Sequence, residues 1–296
     1  MKLEDIRRTA VIGAGAMGNQ IGEIFSRLMG YEVNITDVSD EFVRNGIKAI
    51  DNRMEKFFVA KGKMTPEEKS AVMGRIKGCS TVEEAVKGVD FVIEAIPEVM
   101  GPKREMFNKL DALLPDALLT SNTSTLNITE MVAGTKRPDR IVGMHFFNPV
   151  AMMKLVEVVK GAHTSNETVQ VVVALARKLG KEPVVCRYTS NGFLANRAYD
   201  ALRAEAIQIV WEKVASPEDV DKALKFGYNL PAGPLELGDQ LGSWGRRYEM
   251  EADKIKELGE AGRLHPLIKT MVRAGYTGGP GKKGIYDFWK EVLSKW

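Results

Sequence analysis

The run TAVIGAGAMGNQIGEIFSRLMGYEVNITD, residues 9–37, constrains this chain more than any other stretch. An apolar segment leads into Gly13, Gly15 and Gly18, spaced G-x-G-x-x-G, a helical stretch follows, and a second apolar segment ends at Asp37. Strand, glycine turn, helix and strand make one βαβ unit, the context in which such a triplet binds a dinucleotide. The first glycine permits the tight turn, the second lets backbone approach a pyrophosphate, and the third lets the helix pack closely on the strand. The helix N-terminus then offers free N–H groups and the positive end of its dipole to the phosphates. Asp37 lies 19 residues beyond Gly18. A carboxylate there accepts hydrogen bonds from both ribose hydroxyls and repels a 2′-phosphate, which favours NAD over NADP. The competing reading is an ordinary glycine turn with a surface Asp closing a strand.

Further strand signals recur at 90–96, 117–123, 140–146, 155–160 and 182–188, with helical periods between them. Between the second and third strands, 41–76 reads as a helical hairpin broken near Gly62, with Thr65 and Glu68 spaced as a capping box. Strands alternating with helices predict a mostly parallel sheet covered on both faces. After about residue 190 the strand signals stop. The expected fold is therefore α/β: a doubly wound Rossmann-type sheet with an inserted helical hairpin, followed by an all-helical C-terminal domain. We place the boundary in RYTSNG, giving an NAD-binding domain over 1–189 and a helical domain over 190–296. A length of 296 residues accommodates two domains of ordinary size.

Composition narrows the class. With 44% hydrophobic and 27% charged residues, the chain has ordinary globular usage. Its formal net charge of +3 is spread along the sequence without a basic tract, which argues against nucleic acid as a partner. Cys79 and Cys186 stand far apart with no Cys or His at metal-ligand spacing, so neither a disulfide framework nor a zinc site is readable. A reducing compartment, the cytoplasm, is the expected location. The N-terminal residues carry charge as far as Arg8 and then run into glycines, unlike a signal peptide, and no stretch is apolar for long enough to span a membrane.

One of only three histidines, His145, stands at the end of the apolar run RIVGMHF, just before the aromatic pair Phe146 and Phe147 and then Asn148 and Pro149. With EAIPEVMGPKREMF, SNTSTLNIT, GMHFFNPVAMMKLVEVV and NGFLANR, it makes the chain resemble the 3-hydroxyacyl-CoA dehydrogenase family, whose bacterial short-chain members act on 3-hydroxybutyryl-CoA. The likeness runs from the glycine loop to GKKGIYDF near the end. It implies an NAD-dependent enzyme, an acyl-CoA substrate bound between two domains, and a homodimer made through the helical domain.

Oxidising a secondary alcohol needs one base for the hydroxyl proton, and histidine titrates in the right range. The resemblance implies that His145 is that base and Glu157, in KLVEVVK, its carboxylate partner. Apolar neighbours predict a buried Glu157, which is costly without a partner. Alone, His145 reads rather as a satisfied core histidine; the glycine loop, Asp37 and a buried Glu157 together turn the reading toward catalysis. The resemblance assigns Ser124 and Asn196 to the substrate, and Glu98, Lys103, Asn122 and Asn148 to the cofactor. Ser124 reads also as part of a helix start, Asn148 as a turn residue restricted by Pro149, and Glu98 with Lys103 as an exposed loop and helix. Lys56, Lys61 and Lys63 on the hairpin read as CoA phosphate contacts or as a solvated face. The chain departs from the family in YTSNGF, which is one residue longer and lacks the usual proline, and in GGPGKKGIY, where Pro280 replaces a lysine that Lys282 or Lys283 would have to supply. Two other functions fit the same pattern less fully: a dehydrogenase of a free 3-hydroxy acid or sugar acid, and a crystallin-like protein that binds the nucleotide without catalysis.

Overall fold

In the computed structural model, which describes residues 2–188 and 192–295, eight strands form one sheet. They are β1 (Arg8–Ile12), β2 (Glu32–Thr36), β3 (Ile76–Cys79), β4 (Phe91–Glu94), β5 (Leu118–Ser121), β6 (Ile141–Phe146), β7 (Leu155–Val159) and β8 (Glu182–Cys186), ordered β3-β2-β1-β4-β5-β6-β7-β8. All neighbours are parallel except β6 and β7. The helices of this part are α1 (Gly18–Met29), α2 (Asp40–Met54), α3 (Pro66–Met73), α4 (Val82–Ala85), α5 (Met100–Leu113), α6 (Ile128–Met131) and α7 (Asn166–Lys178). The chain divides into two compact units, Met1–Leu194 and Ala195–Trp296; the expected boundary between 189 and 190 lies outside the described residues.

The strands alternate between two cores. Val11, Phe91, Ile93, Val142, Met144, Phe146, Val156 and Val158 pack with residues of α1, α2 and α7 on one face. Ala10, Ile12, Val92, Leu119, Ile141, Val159 and Cys186 pack with α5 and α6 on the other. Parity therefore assigns Glu94, Ser121, His145 and Glu157 to this second face, because successive side chains in a strand point to opposite sides.

Sequence reading missed β3. Its IKGC pattern is short and only its end residues are buried, and Gly78 is there because a Cβ would lie 2.8 Å from Val43 of α2. The hairpin forms as α2, a π turn over Glu55–Val59, and α3, with Gly62 at φ +64 between them. Thr65 and Glu68 make the expected capping box: the Glu68 N–H donates to Thr65 Oγ1 at 3.2 Å and the Thr65 N–H to Glu68 Oε2 at 2.8 Å.

The second unit has no strand among its described residues. It contains α8 (Ala195–Trp211), α9 (Pro217–Gly227), α10 (Pro234–Gln240), α11 (Ser243–Glu249), α12 (Glu251–Leu258), α13 (Pro266–Arg273) and α14 (Ile285–Glu291) around Trp244, Leu267, Ile268, Met271 and Phe288. Two of its helices are capped from a distance. Asp221 accepts the N–H groups of Leu235 and Glu236 at the start of α10. Asp239 accepts those of Ile285 and Tyr286 at the start of α14, together with the Trp244 indole at 2.6 Å. Glycine precedes each helix for a steric reason: a Cβ on Gly233 or Gly284 would lie 2.1 Å from Asp221 or 2.0 Å from Asp239.

Candidate active site

The sheet order reverses at β1 and β4, and open α/β sheets leave a crevice beyond the carboxyl ends of strands at such a point. The glycine loop follows β1 there. Gly13 has φ +106, and a Cβ on it would meet the Ala95 carbonyl oxygen at 2.6 Å. A Cβ on Gly18 would lie 1.8 Å from the Gly13 carbonyl oxygen, so helix-to-turn packing excludes any side chain. Gly15 differs: a Cβ would meet nothing within 4 Å. The fold has no internal need for glycine at 15, which leaves close approach of something outside the chain as its reason. Asp37 is half-buried, and its Oδ2 accepts the Ala14 N–H of the loop at 2.6 Å. The loop, the uncapped start of α1 and this carboxylate fit a dinucleotide.

A residue that sequence reading missed joins this loop to the segment after β6. Gln20 donates from Nε2 to the Ala16 carbonyl at 2.7 Å and to Asn148 Oδ1 at 3.0 Å, while its Oε1 accepts the Val150 N–H at 2.9 Å. Asn148 is thereby placed against α1. Asn122 extends the ladder of β5, and its Oδ1 accepts the Phe146 N–H at 2.9 Å, one residue after His145.

His145 and Glu157 are direct partners across the antiparallel β6–β7 ladder. Opposed residues in such a ladder share a face with Cβ atoms about 5 Å apart. His145 Nδ1 lies 2.8 Å from Glu157 Oε2, with His145 5% exposed and Glu157 fully buried. A carboxylate only accepts, so a neutral imidazole facing one through Nδ1 would carry its proton there and leave Nε2 as an acceptor. The other carboxylate oxygen, Oε1, accepts the Leu194 N–H at 3.0 Å. Phe147 tilts against the imidazole at 4.4 Å between centroids, and Phe193 presents an edge-on contact at 5.8 Å.

A second polar group lies at the ends of β4 and β5. Glu94, fully buried, accepts Lys103 Nζ at 2.6 Å and the Ile96 N–H at 2.7 Å on Oε1, and Ser121 Oγ at 2.6 Å on Oε2. Lys103 also donates to the Ile96 carbonyl at 3.0 Å and lies 3.5 Å from Glu98 Oε2. Glu98 Oε1 gathers the loop after β5: the Thr123 hydroxyl at 2.7 Å, the Ser124 N–H at 2.7 Å and hydroxyl at 3.2 Å, and the Thr125 N–H at 3.0 Å and hydroxyl at 3.1 Å. Burial pushes the Glu98 carboxyl up, but the Lys103 charge and these donors outweigh it and hold Glu98 below the usual carboxylate range. Ser124 therefore sits on a carboxylate; the helix that follows, α6, is capped by Asn127 instead. Glu94 and Ser121 were missed in the sequence. The signal was the one that marks His145, a polar residue at the carboxyl end of an apolar strand.

Other expected residues lie elsewhere. Lys56 and Lys61 flank the exposed Phe57 ring at 5.5 and 5.4 Å, and Lys63 is exposed nearby. Asn196 is half-buried in the first turn of α8, in the second unit. Lys283 is held by both Glu291 oxygens, at 2.6 and 2.9 Å, whereas Lys282 is exposed and makes no ion pair among the described residues. The loop departure at 189–191 lies outside the described residues.

Residues 8–189 match the model of the 3-hydroxyacyl-CoA dehydrogenase NAD binding domain, and residues 192–288 that of the 3-hydroxyacyl-CoA dehydrogenase C-terminal domain. A probable 3-hydroxybutyryl-CoA dehydrogenase of Bacillus subtilis is 42% identical over 286 residues, covering 96% of this chain and 98% of its own. A 3-hydroxybutyryl-CoA dehydrogenase of Clostridioides difficile is 39% identical over 95% of this chain and 99% of its own. The crystal structure of (S)-3-hydroxybutyryl-CoA dehydrogenase from Ralstonia eutropha superposes with a TM-score of 0.85 at 35% identity, covering 95% of this chain and 98% of that one.

Proposed function

The chain belongs to the 3-hydroxyacyl-CoA dehydrogenase family, whose members are NAD-dependent oxidoreductases, and on that premise we propose that it interconverts (S)-3-hydroxyacyl-CoA and 3-oxoacyl-CoA, with 3-hydroxybutyryl-CoA as the preferred size. The observation that carries the reading is the His145–Glu157 pair, at 2.8 Å, on the sheet face that also carries Glu94 and Ser121. NAD, when bound, supplies the acceptor for the hydride that leaves C3 of the substrate. Gly13, Gly15 and Gly18 would admit its pyrophosphate and Asp37 its ribose, with Glu98, Asn122 and Asn148 bordering the nicotinamide end.

His145 Nε2 takes the proton of the substrate hydroxyl as the carbonyl forms. Glu157 holds the ring in the tautomer that leaves Nε2 free and stabilises the imidazolium that results. In the reverse direction the same nitrogen returns the proton. Ser124, fixed by Glu98, orients the reacting oxygen, and Asn196 is proposed as a substrate contact on the family resemblance alone. The helical C-terminal domain is proposed to make a homodimer, checked by light scattering on the purified protein. A cytoplasmic location suits two free, buried cysteines. Among the described residues no helix is long and apolar enough to cross a membrane.

The test is reduction of acetoacetyl-CoA followed by loss of NADH absorbance, with gulonate and free 3-hydroxybutyrate assayed in the oxidising direction. No turnover of the acyl-CoA would overturn the reading, and faster turnover of a free acid would move the substrate class. His145→Gln is expected to lower kcat by about 10²–10⁴-fold, the contribution of a general base, while NADH binding persists. Retained activity would refute the assignment of the base.

A further inference from the structure

Lys103 is 1% exposed in its side chain and carries three protons, and three oxygens face it: Glu94 Oε1, the Ile96 carbonyl and Glu98 Oε2. Little of this lysine is left to touch a ligand. Its partner Glu94 is buried completely and is satisfied by three donors, Lys103, the Ile96 N–H and Ser121. Neither residue reaches solvent, yet Glu94 is the last residue of β4 and holds Lys103 of α5 at the strand ends where the active site is built. A buried ion pair is weak evidence for stability, since two apolar residues would replace it at little cost. Its position suggests another use.

We propose that Glu94 and Ser121 are positioning residues which, through Lys103, set the geometry of Glu98 and so of Ser124; this rests on the dehydrogenase reading above. Glu94 anchors the ammonium at the end of β4, and the ammonium draws Glu98 Oε2 to 3.5 Å. The remaining oxygen, Oε1, is then turned toward the loop and takes both hydroxyls and N–H groups of Ser124 and Thr125. Ser121 closes the circuit from the other side: its Oγ donates to Glu94 and accepts the Thr123 N–H at 3.1 Å. The register supports the arrangement, because Glu94 and Ser121 are paired neighbours on β4 and β5. Lys103 thus acts on substrate through Glu98 and the loop.

Three variants test this. Glu94→Gln leaves Lys103 with one charged partner, so Glu98 shifts toward it and releases the loop. Glu94→Gln/Lys103→Met removes both buried charges and keeps the fold without them. Ser121→Ala leaves every charge in place and breaks only the Ser121 bonds. In the double variant we expect a melting temperature near that of the parent and kcat for acetoacetyl-CoA lowered about a hundredfold, as for a displacement of about 1 Å near the reacting atoms. Amide hydrogen exchange at Ser124 and Thr125, measured without substrate, is expected to quicken in both the double variant and Ser121→Ala. Parent-like exchange and kcat in the double variant would overturn the proposal, since the ion pair would then serve the fold alone. The exchange measurement separates the two readings: a parent protein inactive on acetoacetyl-CoA would sink the dehydrogenase assignment, while quickened Ser124 and Thr125 amides in the variants would still support the linkage.

Discussion

Replacing Gly15 by alanine separates the two reasons a glycine loop can have for its glycines. The added methyl meets nothing within 4 Å, and the backbone at 15 is not in the left-handed region, so the fold itself does not resist it. Losing a glycine at a compatible site restricts the unfolded chain and stabilises by about 0.4–1 kcal/mol. Gly15→Ala is therefore expected to melt at or slightly above the parent temperature in calorimetry without cofactor. The methyl nevertheless fills the space through which a pyrophosphate approaches the backbone. NADH affinity, measured by fluorescence titration, is expected to fall about 10- to 100-fold, which is about 1.4–2.8 kcal/mol. Gly18→Ala should behave in the opposite way. Its methyl would lie 1.8 Å from the Gly13 carbonyl oxygen, so α1 must move, at about 1–3 kcal/mol or more of stability. Parent-like NADH binding by Gly15→Ala, or a loss of stability larger than that of Gly18→Ala, would refute this division of roles.

In the second unit, Gly284→Ala forces a Cβ to 2.0 Å from the carboxylate that caps α14, and should lower stability in urea by about 2–3 kcal/mol through overpacking and a weakened cap. A loss below about 0.5 kcal/mol would contradict the steric account. Burial, reinforced by the Glu157 charge, pushes the Cys186 thiol up to about 12, and burial also raises Cys79. A disulfide reagent at neutral pH is accordingly expected to label neither cysteine in the native protein and both after denaturation; rapid native labelling would refute it. Glu98 is held below its ordinary range, so its folded state binds a proton less readily than the unfolded chain. Its contribution to stability is present above about pH 4.3 and is lost as pH falls through the lowered folded value. Glu98→Gln should flatten the melting temperature across that acid window, and an unchanged slope would count against the Lys103 pairing.

Much of this protein was legible in its residues because the relevant physics is local. Gly13, Gly15, Gly18 and Asp37 announce themselves within one βαβ unit, and the capping box at Thr65 depends on three residues of chain. The strands made of apolar runs were found, β4 and β5 among them with four residues each; β3 escaped because its two middle residues, Lys77 and Gly78, are exposed and break the run. The hydroxyl cluster at 121–125 looked like a helix start, since Ser and Thr are common caps, but Glu98 from another segment recruits those donors and leaves the cap to Asn127.

What tertiary structure alone decided was which polar residues meet. Sequence by itself determined that His145 ends a buried strand and that Glu157 lies within the next; only the antiparallel register of β6 and β7 puts them opposite each other on one face. A slip of one residue would turn Glu157 to the far side of the sheet. Glu94 and Lys103, Gln20 and Asn148, and Glu98 and Ser124 are joined in the same way by strand order and helix placement. The residues' types and local periods are written in the chain, whereas their partnerships arise from contacts between segments far apart along it.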